Sequence, residues 1–234
     1  MPDSIRLRLD AGLQPLLAPR FRGRDVEAPA DGTSTVGHLV ESVGVPLTEV
    51  GGITVHGRRV PPSYRPSPGD VADVASVTWP QPAPQPPRFL LDVHLGTLAR
   101  RLRLLGVDTA WSAHADDPDL VAAAVAESPV LLTRDRGLLR RRALPAGALV
   151  RSEVPDEQVA EVVGRFRPPL APFTRCLACN GPLEPVEKAD VAEALQPGTL
   201  RAYDKFSRCR SCGHVYWRGA HARRLEALVA TALG

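Results

Sequence analysis

The chain has 234 residues, of which 44% are hydrophobic and 24% are charged, and its formal net charge is +3. This composition excludes an intrinsically disordered chain, and the length predicts one to three folded domains at roughly 100 to 200 residues each. The N-terminus lacks the apolar core of a signal peptide, and no segment approaches the roughly 18 to 20 apolar residues that cross a bilayer. We therefore expect a cytoplasmic protein without membrane contact.

Residues 1–77 predict a small domain of strands around one helix. Ile5, Leu7 and Leu9 alternate with arginines, which is typical of a half-buried strand. A helical pattern and two further strand patterns follow, at 36–43, 53–60 and 70–77. In length and element order this domain resembles the ubiquitin-like β-grasp family. The Gly-Gly tail of the sulfur carriers in that family is absent. An alternative role for this domain is the docking of a partner protein, with the rest of the chain as scaffold.

A proline-rich linker at 78–87 separates this domain from a second region at 88–168. In the second region strand and helix patterns alternate, which indicates a parallel sheet with helices on both faces. The predicted strands lie at 89–91, 107–111, 129–133 and 148–150, and the predicted helices at 95–105, 118–127, 138–142 and 156–166. The predicted fold class is therefore α/β.

Aspartates follow three of the predicted strands. Asp92 ends the first strand, Asp116 and Asp117 follow the second with Asp119 two residues further on, and Asp135 follows the third. Because the carboxyl ends of parallel strands meet at one edge of a sheet, these carboxylates are expected to lie together. Oxygen ligands of this kind suit Mg²⁺ or Mn²⁺, and such ions can activate a water molecule for the hydrolysis of phosphodiester bonds. Helix capping is the alternative role for each aspartate.

Cationic side chains surround the aspartates. Arg134 and Arg136 flank Asp135 and are candidates for contact with the phosphates of a substrate. His94 lies two residues after Asp92 and is a candidate for substrate contact or proton transfer. The alternatives are a solvated helix face for the arginines, including Arg100, Arg101 and Arg103 on the first helix, and a helix-start position for His94.

Three motifs resemble the Mut-seven C-terminal RNase domain, a PIN-like family. They are FLLDVHLGTLARRLRLLGVDT at 89–109, DDPDL at 116–120 and LLTRDRGL at 131–138. The resemblance covers residues 88–225, and members of this kind often carry a ubiquitin-like domain in front. It implies that Asp92 and Asp135 take the places of metal-binding aspartates, and that Asp117 or Asp119 takes the middle acidic place. The fourth acidic place of PIN nucleases offers only Glu153 here.

Residues 169–234 predict a zinc ribbon followed by a helix. Cys176 and Cys179 form one Cys-x-x-Cys pair, and Cys209 and Cys212 form another. In a reducing cytoplasm two such pairs favour a metal over disulfides, and four thiolates make a closed, structural zinc site.

Aromatic and cationic residues follow the second cysteine pair. Trp217 and His221 are candidates for contact with RNA, with an ordinary strand and a solvated helix as the alternative. His214 is a weaker candidate for a zinc ligand. The predicted function is a metal-dependent ribonuclease that binds RNA, with catalytic Mg²⁺ or Mn²⁺ and structural zinc. The alternative is a non-catalytic RNA-binding or adaptor protein with a zinc ribbon.

Overall fold

A computed structural model of the chain describes residues 4–82 and 87–217. These residues group into two compact units. The first contains the described N-terminal residues up to Gln81 together with Thr133–Leu149, and the second contains residues 82–132 and the described residues from 150 onward. Within the described ranges, no helix has the length and apolar character that a membrane span requires.

A five-stranded sheet dominates the first unit. Its strands are β1 (Ser4–Leu9), β2 (Val26–Pro29), β3 (Val50–Val55), β4 (Arg58–Val60) and β5 (Val71–Ser76). Their order in the sheet is β2-β1-β5-β3-β4, with β1 parallel to β5 and the other neighbours antiparallel. The β-grasp fold predicted from the sequence is confirmed, while β2 was not predicted.

One helix, α1 (Val36–Ser42), packs on this sheet. The hydroxyl of Thr35 accepts a hydrogen bond from the backbone N–H of His38 at 3.2 Å and caps the start of the helix. Gly44 follows the helix with a φ of +116°, and a Cβ there would lie 2.8 Å from the carbonyl oxygen of Leu16. Only glycine therefore fits where the chain leaves α1.

The predicted alternation of strands and helices is observed between residues 88 and 166. The elements are β6 (Arg88–Leu91), α2 (Gly96–Leu104), β7 (Asp108–Trp111), α3 (Asp117–Glu127), β8 (Val130–Thr133), α4 (Arg136–Leu139), β9 (Gly147–Leu149) and α5 (Pro155–Phe166). Strand β6 lies between β7 and β8 and pairs in parallel with both. Phe89, Leu91, Leu131 and Leu132 are all buried, as in a parallel sheet covered by helices. The α/β fold class is confirmed.

The second unit ends in a small antiparallel sheet. Its strands are β10 (Leu183–Val186), β11 (Phe206–Cys209) and β12 (Val215–Trp217), and the short helix α6 (Pro197–Ala202) lies between the first two along the chain. Strand β11 pairs with β10 on one side and with β12 on the other. This sheet carries the second cysteine pair and forms the ribbon predicted from the sequence.

Candidate functional site

Two cysteine loops with the same backbone turn form the centre of the ribbon. In the first loop the N–H of Asn180 donates to the carbonyl oxygen of Cys176 at 2.9 Å, and in the second the N–H of Gly213 donates to that of Cys209 at 3.0 Å. Asn180 and Gly213 both have positive φ, 67° and 74°. Each is the fourth residue after the first cysteine of its pair, so the two loops are structurally equivalent.

The four thiols lie together. All four sulfur atoms are within 4.8 Å of one another, with 3.7 Å between Cys176 and Cys212 and 3.4 Å between Cys179 and Cys209. Disulfide sulfurs lie about 2.05 Å apart, whereas a tetrahedral zinc ion with bonds of about 2.3 Å separates its sulfur ligands by about 3.8 Å. The donor set and its spacing therefore fit zinc. Among the described residues, this is the one group of three or more histidine, cysteine or acidic side chains close enough to hold an ion.

Hydrogen bonds favour the thiolate of Cys176, the form that binds a metal. Burial works against its ionisation, but the hydroxyl of Tyr216, 3.1 Å from the sulfur, and the backbone amides of Ala178 and Cys179 outweigh it and lower the pKa of Cys176 to about 6. Burial also raises the pKa of Tyr216, so its hydroxyl remains a donor. The position of Tyr216 beside the thiols was not predicted from the sequence.

A buried arginine holds the first cysteine loop from α2. Arg103 is 2% exposed, its Nη1 donates to the carbonyl oxygens of Leu177 and Ala178 at 2.9 and 2.8 Å, and its Nε donates to that of Thr109 at 2.9 Å. Both roles predicted for Arg103, a solvated face and a phosphate contact, are therefore wrong. The sequence spacing gave no signal for this role because the two partners in the cysteine loop are backbone carbonyls 74 and 75 residues away.

Three further side chains join the ribbon to the start of β7. Asn180 donates from Nδ2 to Asp108 at 2.8 Å and accepts from the N–H of Thr109 at 3.1 Å. Arg175 donates to the other oxygen of Asp108 at 3.1 Å and to the carbonyl oxygen of Gly106 at 3.2 Å. The ribbon is thus bonded to the parallel sheet of the same unit by charged and amide groups.

Asp92 is the most enclosed of the candidate catalytic acids. It directly follows β6, is 5% exposed, and accepts a hydrogen bond from the N–H of His94 at 2.8 Å. Its own N–H donates to the carbonyl oxygen of Leu132 at 3.2 Å, which extends the parallel pairing of β6 with β8 to the end of the strand. The side chain of His94 is exposed beside it.

The other candidate acids lie at helix starts. Asp116, not Asp117, caps α3 by accepting from the N–H of Asp119 at 2.9 Å. Asp117 is the first helical residue and is half-buried, and Asp119 is exposed. Asp135 caps α4 by accepting from the N–H of Gly137 at 2.6 Å. The capping alternative thus describes Asp116 and Asp135, and also Asp92, which caps the 3-10 turn Val93–Leu95. A cap occupies only part of the acceptor capacity of a carboxylate.

The acidic residues fit a divalent ion in donor type but not in number. Carboxylate oxygens are the donors that Mg²⁺ and Mn²⁺ prefer. Within the described ranges, however, no three acidic groups lie as close together as the cysteines do.

The remaining candidates lie at the surface or outside the described residues. Arg134 is exposed, while Arg136 is half-buried and donates to the carbonyl oxygen of Leu16 at 2.7 Å. Trp217 is 40% exposed at the end of β12. The ring of His214 packs at a tilt of 48° against that of Tyr216, with centroids 4.8 Å apart, and His214 is not part of the four-sulfur group. His221 lies outside the described residues.

These features define an α/β domain with an attached cysteine ribbon and a ubiquitin-like domain in front. Residues 87–229 match the Mut7-C RNAse domain, and residues 3–81 match the Mut7-C ubiquitin domain. The chain belongs to the Mut7-C RNAse domain family, as the resemblance of its motifs predicted. Comparisons with curated proteins and with solved structures give no match.

Proposed function

We propose that this protein is a ribonuclease that hydrolyses RNA phosphodiester bonds with a Mg²⁺ or Mn²⁺ ion at its acidic residues. The ion would be held by Asp92, by Asp135 and by either Asp117 or Asp119. The observation that carries the proposal is the parallel pairing of β6 with β8, in the register of Leu91 with Leu132. Asp92 comes one residue after β6 and Asp135 two residues after β8, so both follow the carboxyl ends of neighbouring strands.

The environment of Asp92 supports this assignment. A buried carboxylate is costly unless hydrogen bonds or a cation offset the loss of solvation. Its bond to the N–H of His94 orients the carboxylate at the end of β6. A divalent ion at this place would polarise the scissile phosphate and lower the pKa of a bound water.

Two arginines, a histidine and a tryptophan are the proposed contacts to RNA. We expect Arg134 and Arg136 to bind phosphates on either side of Asp135, because the negative backbone dominates the affinity for nucleic acid. His94 follows Asp92 by two residues, and its ring is exposed. It is suited to substrate contact or proton transfer. Trp217, on the ribbon, offers an exposed ring on which a base can stack.

The four cysteines are proposed to bind one structural zinc ion. Four thiolates complete the tetrahedron and leave no position for a water or a substrate. The ribbon would then stabilise the fold, and hydrolysis would take place at the acidic residues.

An RNA cleavage assay tests the proposed reaction. Zinc-loaded protein is incubated with a mixed, unstructured RNA pool and Mn²⁺, and the double variant Asp92→Asn/Asp135→Asn is compared with the natural sequence. We expect the double variant to cleave at least about 100-fold more slowly, since a catalytic ion supplies several kcal/mol of transition-state stabilisation.

The control for this assay is Asp25→Asn/Asp73→Asn, which removes the same charge from two surface partners of Arg8. The control should cleave at the normal rate. Undiminished cleavage by Asp92→Asn/Asp135→Asn would show that the acids are wrongly assigned.

A non-catalytic RNA-binding protein is the second candidate. It is favoured by the absence of three grouped acids among the described residues, and by the exposed Glu153 as the one residue offered at the fourth acidic place. In that case fluorescence anisotropy would show RNA binding, and neither Mg²⁺ nor Mn²⁺ would produce cleavage. A protein partner for the ubiquitin-like domain remains a prediction.

A further inference from the structure

Glu49 is a carboxylate in the interior of the first unit. It is 0% exposed and ends the short 3-10 turn Leu47–Glu49 that leads into β3. Its Oε1 accepts a hydrogen bond from the backbone N–H of Leu149 at 2.9 Å. Leu149 ends β9, 100 residues further along the chain. A buried carboxylate needs such donors because its desolvation is costly, so the bond fixes the end of β9 against the β-grasp domain.

Apolar packing also joins the chain from α4 to β9 to the β-grasp domain. Leu139 of α4 and Leu149 of β9 are 3% and 8% exposed, and both belong to the hydrophobic core of the β-grasp domain. Leu144, between them in the chain, packs on this core with part of its side chain. Burial of leucine side chains stabilises the folded state, so this packing helps to hold the segment.

A polar contact holds the beginning of the segment. Arg136, the first residue of α4, donates from Nη1 to the carbonyl oxygen of Leu16 at 2.7 Å. Within the β-grasp domain itself, Arg22 donates to the carbonyl oxygen of the next residue, Leu17, at 3.1 Å. The segment from 136 to 149 is therefore bonded to the β-grasp domain at both ends and packed against it in the middle.

Asp135 directly precedes this anchored segment and caps α4. Its carboxylate accepts from the N–H of Gly137 inside α4, and its chain neighbour Arg136 makes the contact to Leu16. The place of the Asp135 side chain thus depends on α4, and the place of α4 depends on the β-grasp domain.

We infer that the β-grasp domain is part of the scaffold of the nuclease site, and that Glu49 is a positioning residue that holds the segment that directly follows Asp135. The inference rests on the proposed function of Asp135. Cleavage would then require the β-grasp domain within the chain, because it keeps one metal-binding acid in place.

The test uses three variants of the full-length, zinc-loaded protein. Glu49→Ala removes the acceptor for the N–H of Leu149, and Glu49→Gln keeps an acceptor oxygen of similar size. Asp70→Asn is the matched control, since Asp70 is another buried carboxylate of the same domain, at 7% exposure. The hydrogen-bond partners of Asp70 are His56, Tyr64 and Ser67, all within the β-grasp domain. All measurements are made well below the unfolding midpoint of each variant.

Amide hydrogen exchange gives the local readout. In Glu49→Ala, exchange at residues 136–149 should rise at least about tenfold through local opening, while Asp70→Asn should leave this segment at the natural rate. Glu49→Gln should restore most of the protection. Equal exchange of the segment in Glu49→Ala and Asp70→Asn would overturn the inference.

RNA cleavage in Mn²⁺ gives the functional readout. We expect Glu49→Ala to cleave about 10- to 100-fold more slowly, as a small misplacement of a catalytic group does, with Glu49→Gln and Asp70→Asn close to the natural rate. A folded Glu49→Ala that cleaves normally would also overturn it. If the unaltered protein does not cleave, or Asp92→Asn/Asp135→Asn cleaves normally, the proposed function fails, and the exchange result alone decides whether Glu49 positions the segment.

Discussion

The guanidinium of Arg103 donates a hydrogen bond to the carbonyl oxygen of Ala178 at 2.8 Å, so that helix α2 holds the first cysteine loop directly. The same side chain bonds Leu177 in that loop and Thr109 in β7. One buried cation therefore connects the helix that follows Asp92, a strand of the parallel sheet and the proposed zinc site. These hydrogen bonds attach the ribbon to α2 and to β7 of the parallel sheet.

Replacing Arg103 should destabilise the second unit and loosen the metal. In Arg103→Met the carbonyl oxygens of Thr109, Leu177 and Ala178 lose their donor, which we expect to cost about 2 to 4 kcal/mol. Urea unfolding measures the loss of stability, and the rate at which a colorimetric chelator removes zinc measures the loosened site.

Arg100→Met is the control, since Arg100 is exposed on the same helix. It should change the free energy of unfolding by no more than about 0.5 kcal/mol. Equal effects of the two substitutions would mean that the bonds of Arg103 contribute little.

Gly181 lies where the two cysteine loops approach each other. A Cβ at this position would contact Ser211 Oγ and lie 2.9 Å from the sulfur of Cys209. The hydroxyl can rotate away, but a sulfur that held the proposed zinc ion could not. Gly181→Ala should therefore lower the zinc affinity at least about tenfold, as disturbance of groups around a metal site does.

Gly198→Ala is the matched control for Gly181→Ala, because nothing lies within 4 Å of the added Cβ there. Competition with a chelator of known affinity compares the two variants. The same zinc affinity in both would contradict the close packing of the loops.

Asp70 should make the stability of the first unit depend on pH. Burial raises its pKa, but hydrogen bonds from the N–H of Ser67, from His56 and from Tyr64 outweigh burial and hold the pKa below the usual value. Because the folded pKa is the lower one, this stabilisation is present above the unfolded pKa of about 3.9 and is lost as the pH falls through the folded pKa.

In Asp70→Asn the free energy of unfolding at neutral pH should fall by about 1 to 3 kcal/mol, and its decline in acid should be shallower. Urea titrations across the acid range measure both changes. Asp73→Asn, at an exposed residue 3.8 Å from Arg8, should leave the pH profile nearly unchanged. An unaltered acid profile in Asp70→Asn would contradict the assignment.

The sequence predicted those features that depend on local pattern. The alternation of Ile5, Leu7 and Leu9 gave β1, and the Cys-x-x-Cys pairs gave the cluster of thiols. The strand β2 (Val26–Pro29) was missed because only two of its four residues are buried and it ends in proline. The buried roles of Arg103 and Glu49 were missed because most of their partners are backbone groups distant in the chain, which leave no pattern in the sequence.

The middle acidic position can be assigned by comparing Asp117→Asn with Asp119→Asn. Both residues lie in the first turn of α3, so the loss of their favourable interaction with the helix dipole should be similar, about 0.3 to 1 kcal/mol. Asp117 is half-buried whereas Asp119 is exposed, which favours Asp117 as the ion ligand. We expect Mn²⁺-dependent cleavage to fall at least about tenfold in Asp117→Asn and to stay nearly normal in Asp119→Asn. The reverse order would assign Asp119.

A titration of zinc-loaded protein with Mn²⁺ tests the acidic site most directly. Binding is measured as the loss of the electron paramagnetic resonance signal of the free ion. The titration should show saturable binding to the natural sequence and to Asp25→Asn/Asp73→Asn. Asp92→Asn/Asp135→Asn should bind at least about tenfold more weakly, since each carboxylate contributes ligand charge. Identical binding curves for all three proteins would contradict a divalent ion between the ends of β6 and β8.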